Sequence, residues 1–309
     1  MPEGRRAMIR NFEQLMEAAI QRGPVRVALA VSQDLAALSA LVAAKRSGLA
    51  EARLFGVREE TLRLLARVKV EAEAFPEIED IGDAEQAALA AVDAVKRGDA
   101  DILMKGMVKT SVFLKCVLHA ERGLRTGRLL SDVFVFQDPR RTGNQLVMIT
   151  DGGVTLRPNL AQKLEILKNA VAVAYALGNE QPRVAVLSAV ETVNPDLPST
   201  VDAAVLAKMN ERGQVTGCIV DGPLALDNAI SAEAAKLKHL TSAVAGQADI
   251  LLCPDIESAN MLAKGTTYFA GFRLAHVIVG AAAPVLIPSR ADTADAKLLS
   301  IALGALMCK

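Results

Sequence analysis

The stretch PVLIPSRADTADAKLLSI, residues 284–301, decides the architecture. An aliphatic run, Val285-Leu286-Ile287, carries the chain into Ser289 and Arg290, and a helix is predicted to begin near Asp292 or Thr293. A strand whose carboxyl end opens into a helix is the repeating unit of a parallel α/β sheet, and ligands sit at that end. Free N–H groups in a helix's first turn favour anions. An arginine beside them adds a planar fork that fits phosphate or carboxylate. Residues 284–301 therefore predict an anion-handling site on an α/β fold.

The same alternation runs outward through the chain. VRVALAVS (25–32), ARLFGV (52–57), ADILMKG (100–106), PRVAVLSA (182–189), TGCIVDGP (216–223), ADILLCPD (248–255) and APVLIPSR (283–290) read as strands between Ala- and Leu-rich helical segments. Such alternation implies βαβ units and parallel pairing. Uniformly apolar runs suit strands buried on both faces. DVFVFQ (132–137) and QLVMITDGG (145–153) differ, because only DPRRTGN separates them. So short a loop predicts an antiparallel hairpin, which marks the start of a second domain. The fold expected is α/β, with two domains of parallel or mixed sheets flanked by helices. Residues 1–130 plus 285–309 form one domain in this reading, and 131–284 the other.

Composition narrows the function classes. A chain of 309 residues exceeds one hydrophobic core. Lys and Arg together number 35, as do Asp and Glu, so no basic footprint for nucleic acid or an anionic membrane exists. Aromatics make up 3% of residues and Trp is absent, which argues against a base-stacking platform. The N-terminal MPEGRRAMIRNFEQLMEAAIQRG reads as an amphipathic helix broken by charge, with no apolar core of signal-peptide length. Leu274 to Ser289 is nearly uncharged but too short for a bilayer. Cys116, Cys218, Cys253 and Cys308 show neither metal nor redox spacing. A cytoplasmic protein with reduced thiols, without nucleic-acid or membrane partners, is expected.

Polar residues cluster at the predicted strand ends. Lys105, Lys109, Thr110 and Ser111 follow ADILM; Ser131 precedes DVFVFQ; Asp151-Gly152-Gly153 ends the hairpin. Asp221 lies at the end of the fifth apolar run in that list and Asp227 follows it, and Asn260 and Lys264 follow ADILLC. No GxxxxGK[ST] loop, dinucleotide glycine pattern, histidine pair of zinc spacing or GxSxG elbow occurs. Each polar residue also has a plainer role. Asp292 and Asp295, three apart at a helix start, match a cap. The lysines can be solvated surface charges, and Asp-Gly-Gly is ordinary turn chemistry. Residue pattern alone leads to an anion-binding α/β enzyme.

The blocks ADILMKGMVKTS, DGGVTLRPNL, ETVNPDLPSTVDAA, GCIVDGPLALDNAISAEAAK, ADILLCPDIESANMLAK and PVLIPSRADTADAKLLSIALG closely resemble the phosphate acetyl/butyryltransferase family. The resemblance runs in order from about residue 98 to the end, and DGPLALDNA and SRADT are similar to the butyryl branch. It implies the exchange acyl-CoA + phosphate ⇌ acyl phosphate + CoA, by direct transfer in a ternary complex. It implies further an isocitrate/isopropylmalate dehydrogenase-like fold with a cleft between domains, a homodimer, no metal, and no cofactor, since coenzyme A is a substrate.

Ser289 and Arg290 match the family pair that contacts acyl phosphate. The family's base falls one position beyond Asp295, at Ala296, so Asp295 or Asp292 is expected to serve. Thr110, Ser111 and Ser131 are expected at phosphate, and Lys105, Lys109, Asn260 and Lys264 at substrate or coenzyme A. Gly152 stands where the acetyl branch carries Cys, which speaks against a covalent cysteine there. Acetyl rather than butyryl specificity, or a metal-dependent oxidoreductase using Asp221 and Asp227, are the alternatives.

Overall fold

A computed structural model describes residues 7–69, 74–75, 77–141 and 145–308. The chain divides into two compact units. The terminal unit joins Phe12–Arg128 to Ala275–Lys309; the middle unit joins Met1–Asn11 to Leu129–Leu274. These limits move two expected ones. Residues 275–284 go with the terminal unit because Ile278 pairs with Val285 across an antiparallel turn. The start of the chain goes with the middle unit, where Ile9 N donates to Leu177 O at 2.8 Å and Leu146 N to Arg10 O at 2.7 Å.

In the terminal unit β1 (Val25–Ala30), β2 (Ala50–Gly56), β3 (Ile78–Asp80), β4 (Ile102–Lys105) and β11 (Val285–Leu286) run parallel, in the order β3-β2-β1-β4-β11, and β10 (Leu274–Val279) is added antiparallel. Helices α2 (Leu35–Arg46) and α4 (Ala84–Lys96) pack on β2 and β1, and α11 (Ala294–Met307) packs on β11 and α2. Val27, Leu29, Leu38, Ile102, Leu103, Val285 and Leu303 are all fully buried, as strands covered on both faces require. The registers Ala30↔Lys105 and Leu286↔Met104 bring the carboxyl ends of β1, β4 and β11 to one edge.

In the middle unit the expected hairpin is present: β5 (Ser131–Gln137) pairs antiparallel with β6 (Leu146–Thr150), from Val133↔Thr150 to Gln137↔Leu146. Parallel strands β9 (Ile250–Leu252), β7 (Arg183–Leu187) and β8 (Ile219–Leu224) follow, giving the order β5-β6-β9-β7-β8. Phe134, Phe136, Val147, Ile149, Leu187, Leu251 and Leu274 form its core. Capping boxes start two of its helices, Asn159 with Gln162 on α6 (Leu160–Ala176) and Asp255 with Ser258 on α10 (Ile256–Tyr268). Of the tip segment DPRRTGN, residues 142–144 lie outside the described residues.

Candidate functional site

Strand β11 holds only two residues, after which the chain turns through Ser289 and Arg290 into α11. The helix cap is Thr293, whose hydroxyl accepts from Ala296 N at 3.1 Å. Neither predicted capping aspartate fills that role. Asp292 instead accepts the Ser289 N–H at 2.7 Å, and its own N–H donates to Ser289 O at 3.1 Å. The same Asp292 carboxylate lies 3.8 Å from His276 Nε2. Lys297 Nζ, from α11, donates to Ser289 O at 3.0 Å. The backbone of Ser289 is thus held on both sides, while Arg290 is exposed beside it and Asp295 is exposed in the helix's first turn.

Lys105 ends β4 at this edge and is 4% exposed. Its ammonium donates to Gly106 O at 3.1 Å and Val108 O at 3.3 Å. Burial lowers its pKa, the neighbouring Lys297 and Arg290 cations lower it further, and Asp34 and Asp292 oppose them. Gly106 is required next to it, because a Cβ there would lie 2.2 Å from Val31 O. Val31 itself has φ of 58°, a left-handed conformation rare for a β-branched residue. That turn delivers Asp34, which caps α2 through Ala37 N at 3.0 Å and lies 3.7 Å from Lys297 Nζ. Lys105, Arg290, Lys297, Asp34 and Asp292 therefore form one electrostatic cluster with more cations than carboxylates.

Lys109, Thr110 and Ser111 are exposed at the start of α5 (Thr110–Val117), where no side chain caps the first-turn N–H groups. Such a helix start suits an anion.

The remaining predicted residues belong to the middle unit. Ser131 is fully buried, and its hydroxyl accepts from Asn169 Nδ2 at 2.8 Å. Asn260 Nδ2 donates to Gly152 O at 2.9 Å, and Lys264 Nζ lies over the Tyr268 ring, 5.9 Å from its centroid. A Cβ on Gly152 would come within 2.8 Å of Phe134 Cε2 and 3.1 Å of Asn260 N, so the loop has no room for a side chain. Asp151 organises the loop, accepting from the N–H groups of Asp132, Gly153, Val154 and Thr155 at 2.8–3.1 Å. Burial raises its pKa against the pull of those donors.

Three contributors escaped the sequence reading: Lys297, Asp34 and His276. Lys297 left one signal, a single charge on a helical face it shares with Ile301 and Ala305. Burial pushes the Cys253 thiol up to about 12 and the Cys218 thiol up to about 11, so both stay neutral and unreactive. Among the described residues, no group of three or more His, Cys, Asp or Glu is arranged to hold a metal ion.

Comparison with known proteins identifies the family. Residues 82–305 match the family model described as Phosphate acetyl/butaryl transferase. A phosphate butyryltransferase of Clostridium acetobutylicum is 44% identical over 97% of this chain and 99% of its own length. A phosphate acetyltransferase of Thermotoga maritima is 43% identical over 95% of this chain and 98% of its own. The crystal structure of a branched-chain phosphotransacylase from Enterococcus faecalis V583 superposes with a TM-score of 0.81, at 30% identity, covering 92% of this chain and 98% of that one. The chain belongs to the phosphate acetyl/butyryl transferase family.

Proposed function

We propose that the protein exchanges a short acyl group between coenzyme A and inorganic phosphate, acyl-CoA + phosphate ⇌ acyl phosphate + CoA, with butyryl or a similar short chain preferred. One observation carries the proposal: at the carboxyl ends of β1, β4 and β11, Lys105, Lys297 and Arg290 outnumber Asp34 and Asp292. The uncompensated positive charge, beside the Ser289 hydroxyl, suits a phosphate and the oxyanion formed from it.

In the direction of acyl-CoA synthesis, the coenzyme A thiolate attacks the carbonyl of the acyl phosphate. Arg290 and the Ser289 hydroxyl bind the developing oxyanion, the tetrahedral intermediate expels phosphate, and a thioester remains. A thiol pKa of about 8.5 leaves a few per cent thiolate at neutral pH, so a base helps. Asp295 takes that role in the proposal, because the Asp292 carboxylate already receives the Ser289 N–H. A preorganised oxyanion donor contributes about 3–4 kcal/mol, more than the roughly 2 kcal/mol available from full deprotonation, so Arg290 dominates. Lys105 contributes charge, while Lys109, Thr110 and Ser111 offer a helix start for a phosphate of either substrate. Asn260 and Lys264 remain contacts to coenzyme A in this scheme, with Asn260 also holding Gly152.

The working form is a cytoplasmic homodimer. Its support is an exposed apolar stripe on and just beyond α10, where Met261, Tyr268 and Phe269 are 67%, 60% and 96% exposed. Among the described residues no helix is long and apolar enough to cross a membrane.

The test follows coenzyme A release from a C2–C6 acyl-CoA series with phosphate and no added metal. Turnover peaking at C4 or a neighbouring length is expected. No phosphate-dependent release from any member would overturn the proposal.

A further inference from the structure

Lys297 is fully buried, and three features make its position electrostatically unfavourable. It sits four residues into α11, near the positive end of the helix dipole, where cations are disfavoured. Lys105 is a second buried cation close enough to repel it. Removing an ammonium from water is costly unless it is paired and hydrogen-bonded. Two contacts offset this among the described residues: Asp34 at 3.7 Å, beyond hydrogen-bond length, and the Ser289 carbonyl at 3.0 Å. Packing alone would favour Leu or Met, as its neighbours Leu299 and Ile301 illustrate.

What the ammonium holds is specific. Ser289 O lies in the peptide that leads directly into Arg290. Asp292 grips the opposite side of Ser289 through the N–H at 2.7 Å. Two charged side chains thus fix one residue's backbone, and with it the direction of the Ser289 hydroxyl and the Arg290 guanidinium. Helical Cβ vectors tilt toward the helix N-terminus, which aims the Lys297 stem back at that turn.

We infer that Lys297 is a positioning residue: its buried ammonium holds the Ser289 carbonyl and so keeps the hydroxyl and guanidinium of the Ser289–Arg290 turn in register with the reacting acyl group. The inference rests on the acyl-transfer role proposed above for that turn. Lys297 touches no substrate; it acts through Ser289 and Arg290.

The experiment is a double-mutant cycle on the full chain, read as kcat and KM for butyryl-CoA with phosphate. Lys297→Met is expected to lower kcat about 10²-fold, the effect of a misplacement near 1 Å, with KM for butyryl-CoA little changed. In a Ser289→Ala/Arg290→Ala background, the same substitution is expected to lower kcat by about threefold or less, because both groups it positions are gone. Loss of folded protein alone would multiply kcat by the same factor in both backgrounds, so equal factors overturn the positioning role. If Arg290→Ala by itself leaves kcat unchanged, the acyl-transfer role of the turn fails, whatever Lys297 does. Lys297→Gln replaces Lys297→Met if the latter does not fold. Failure of both to fold assigns Lys297 a purely structural role and also overturns the inference.

Discussion

The Asp292 carboxylate accepts the Ser289 N–H at 2.7 Å and so braces the residue that precedes Arg290. Asp295, by contrast, is exposed in the first turn of α11. In the proposed scheme the two aspartates, three residues apart, divide into a backbone clamp and a proton acceptor.

That division predicts opposite signatures. Asp292→Ala should lower both activity and melting temperature, since a half-buried N–H loses a charged acceptor worth about 1.5–3 kcal/mol. Asp295→Asn should leave the melting temperature unchanged and reduce acyl-CoA synthesis about 10²-fold at neutral pH. The Asp295→Asn deficit should shrink as pH rises toward the thiol pKa of about 8.5, where coenzyme A ionises without help. A pH-rate profile from acyl phosphate and coenzyme A checks this, and a deficit independent of pH would count against Asp295.

Lys105 gives a pH dependence of stability with a definite sign. Burial lowers its pKa in the folded state, so near and above that pKa the unfolded chain binds more protons. Stability from this group therefore rises with pH, from the folded pKa up to the ordinary lysine value. Below the folded pKa the burial penalty is fully present. Lys105→Met should remove that rise, maintain or increase the melting temperature at neutral pH, and raise KM for phosphate about tenfold or more. Melting curves over a pH series, with phosphate kinetics, make the check.

Gly152 has no space for a side chain, with Phe134 Cε2 2.8 Å from a Cβ position. Gly152→Cys should therefore destabilise by about 1–3 kcal/mol through overpacking and gain no covalent chemistry. Denaturant unfolding measures the first, and mass spectrometry after incubation with acyl-CoA measures the second.

Phe269 is 96% exposed beside Tyr268. Phe269→Asp should weaken self-association about 30-fold or more, as loss of an aromatic anchor worth about 2 kcal/mol would. Sedimentation velocity across a concentration series reads the shift, and an unchanged dimer would place the interface elsewhere.

Much of the fold was legible because its strands are continuous apolar runs: VRVALA, DVFVFQ and ILL each fall inside predicted segments. The hairpin followed from a short polar spacer. Strand β10, LAHVIV, was hidden inside the uncharged run from Leu274 to Ser289, where no polar break separates it from β11. Strand β3 is three residues long and two are acidic, so periodicity has nothing to register. At the site, Ser289 and Arg290 were visible because they sit at a strand–helix junction. The cluster around them was not, since Asp34, Lys105, His276 and Lys297 converge from distant parts of the chain. Ser131 shows the same limit: a hydroxyl at a strand's start gives no sign in the sequence of its bond from Asn169, 38 residues away.

The central measurement is the rate of phosphate-dependent coenzyme A release from butyryl-CoA by Arg290→Lys, with the melting temperature confirmed unchanged. This substitution keeps the charge and removes the planar fork. A loss of about 100-fold or more is predicted, the cost of one misplaced oxyanion donor. A rate within about threefold of the unmodified protein would contradict the role given to the Ser289–Arg290 turn, since an oxyanion donor cannot be lost so cheaply.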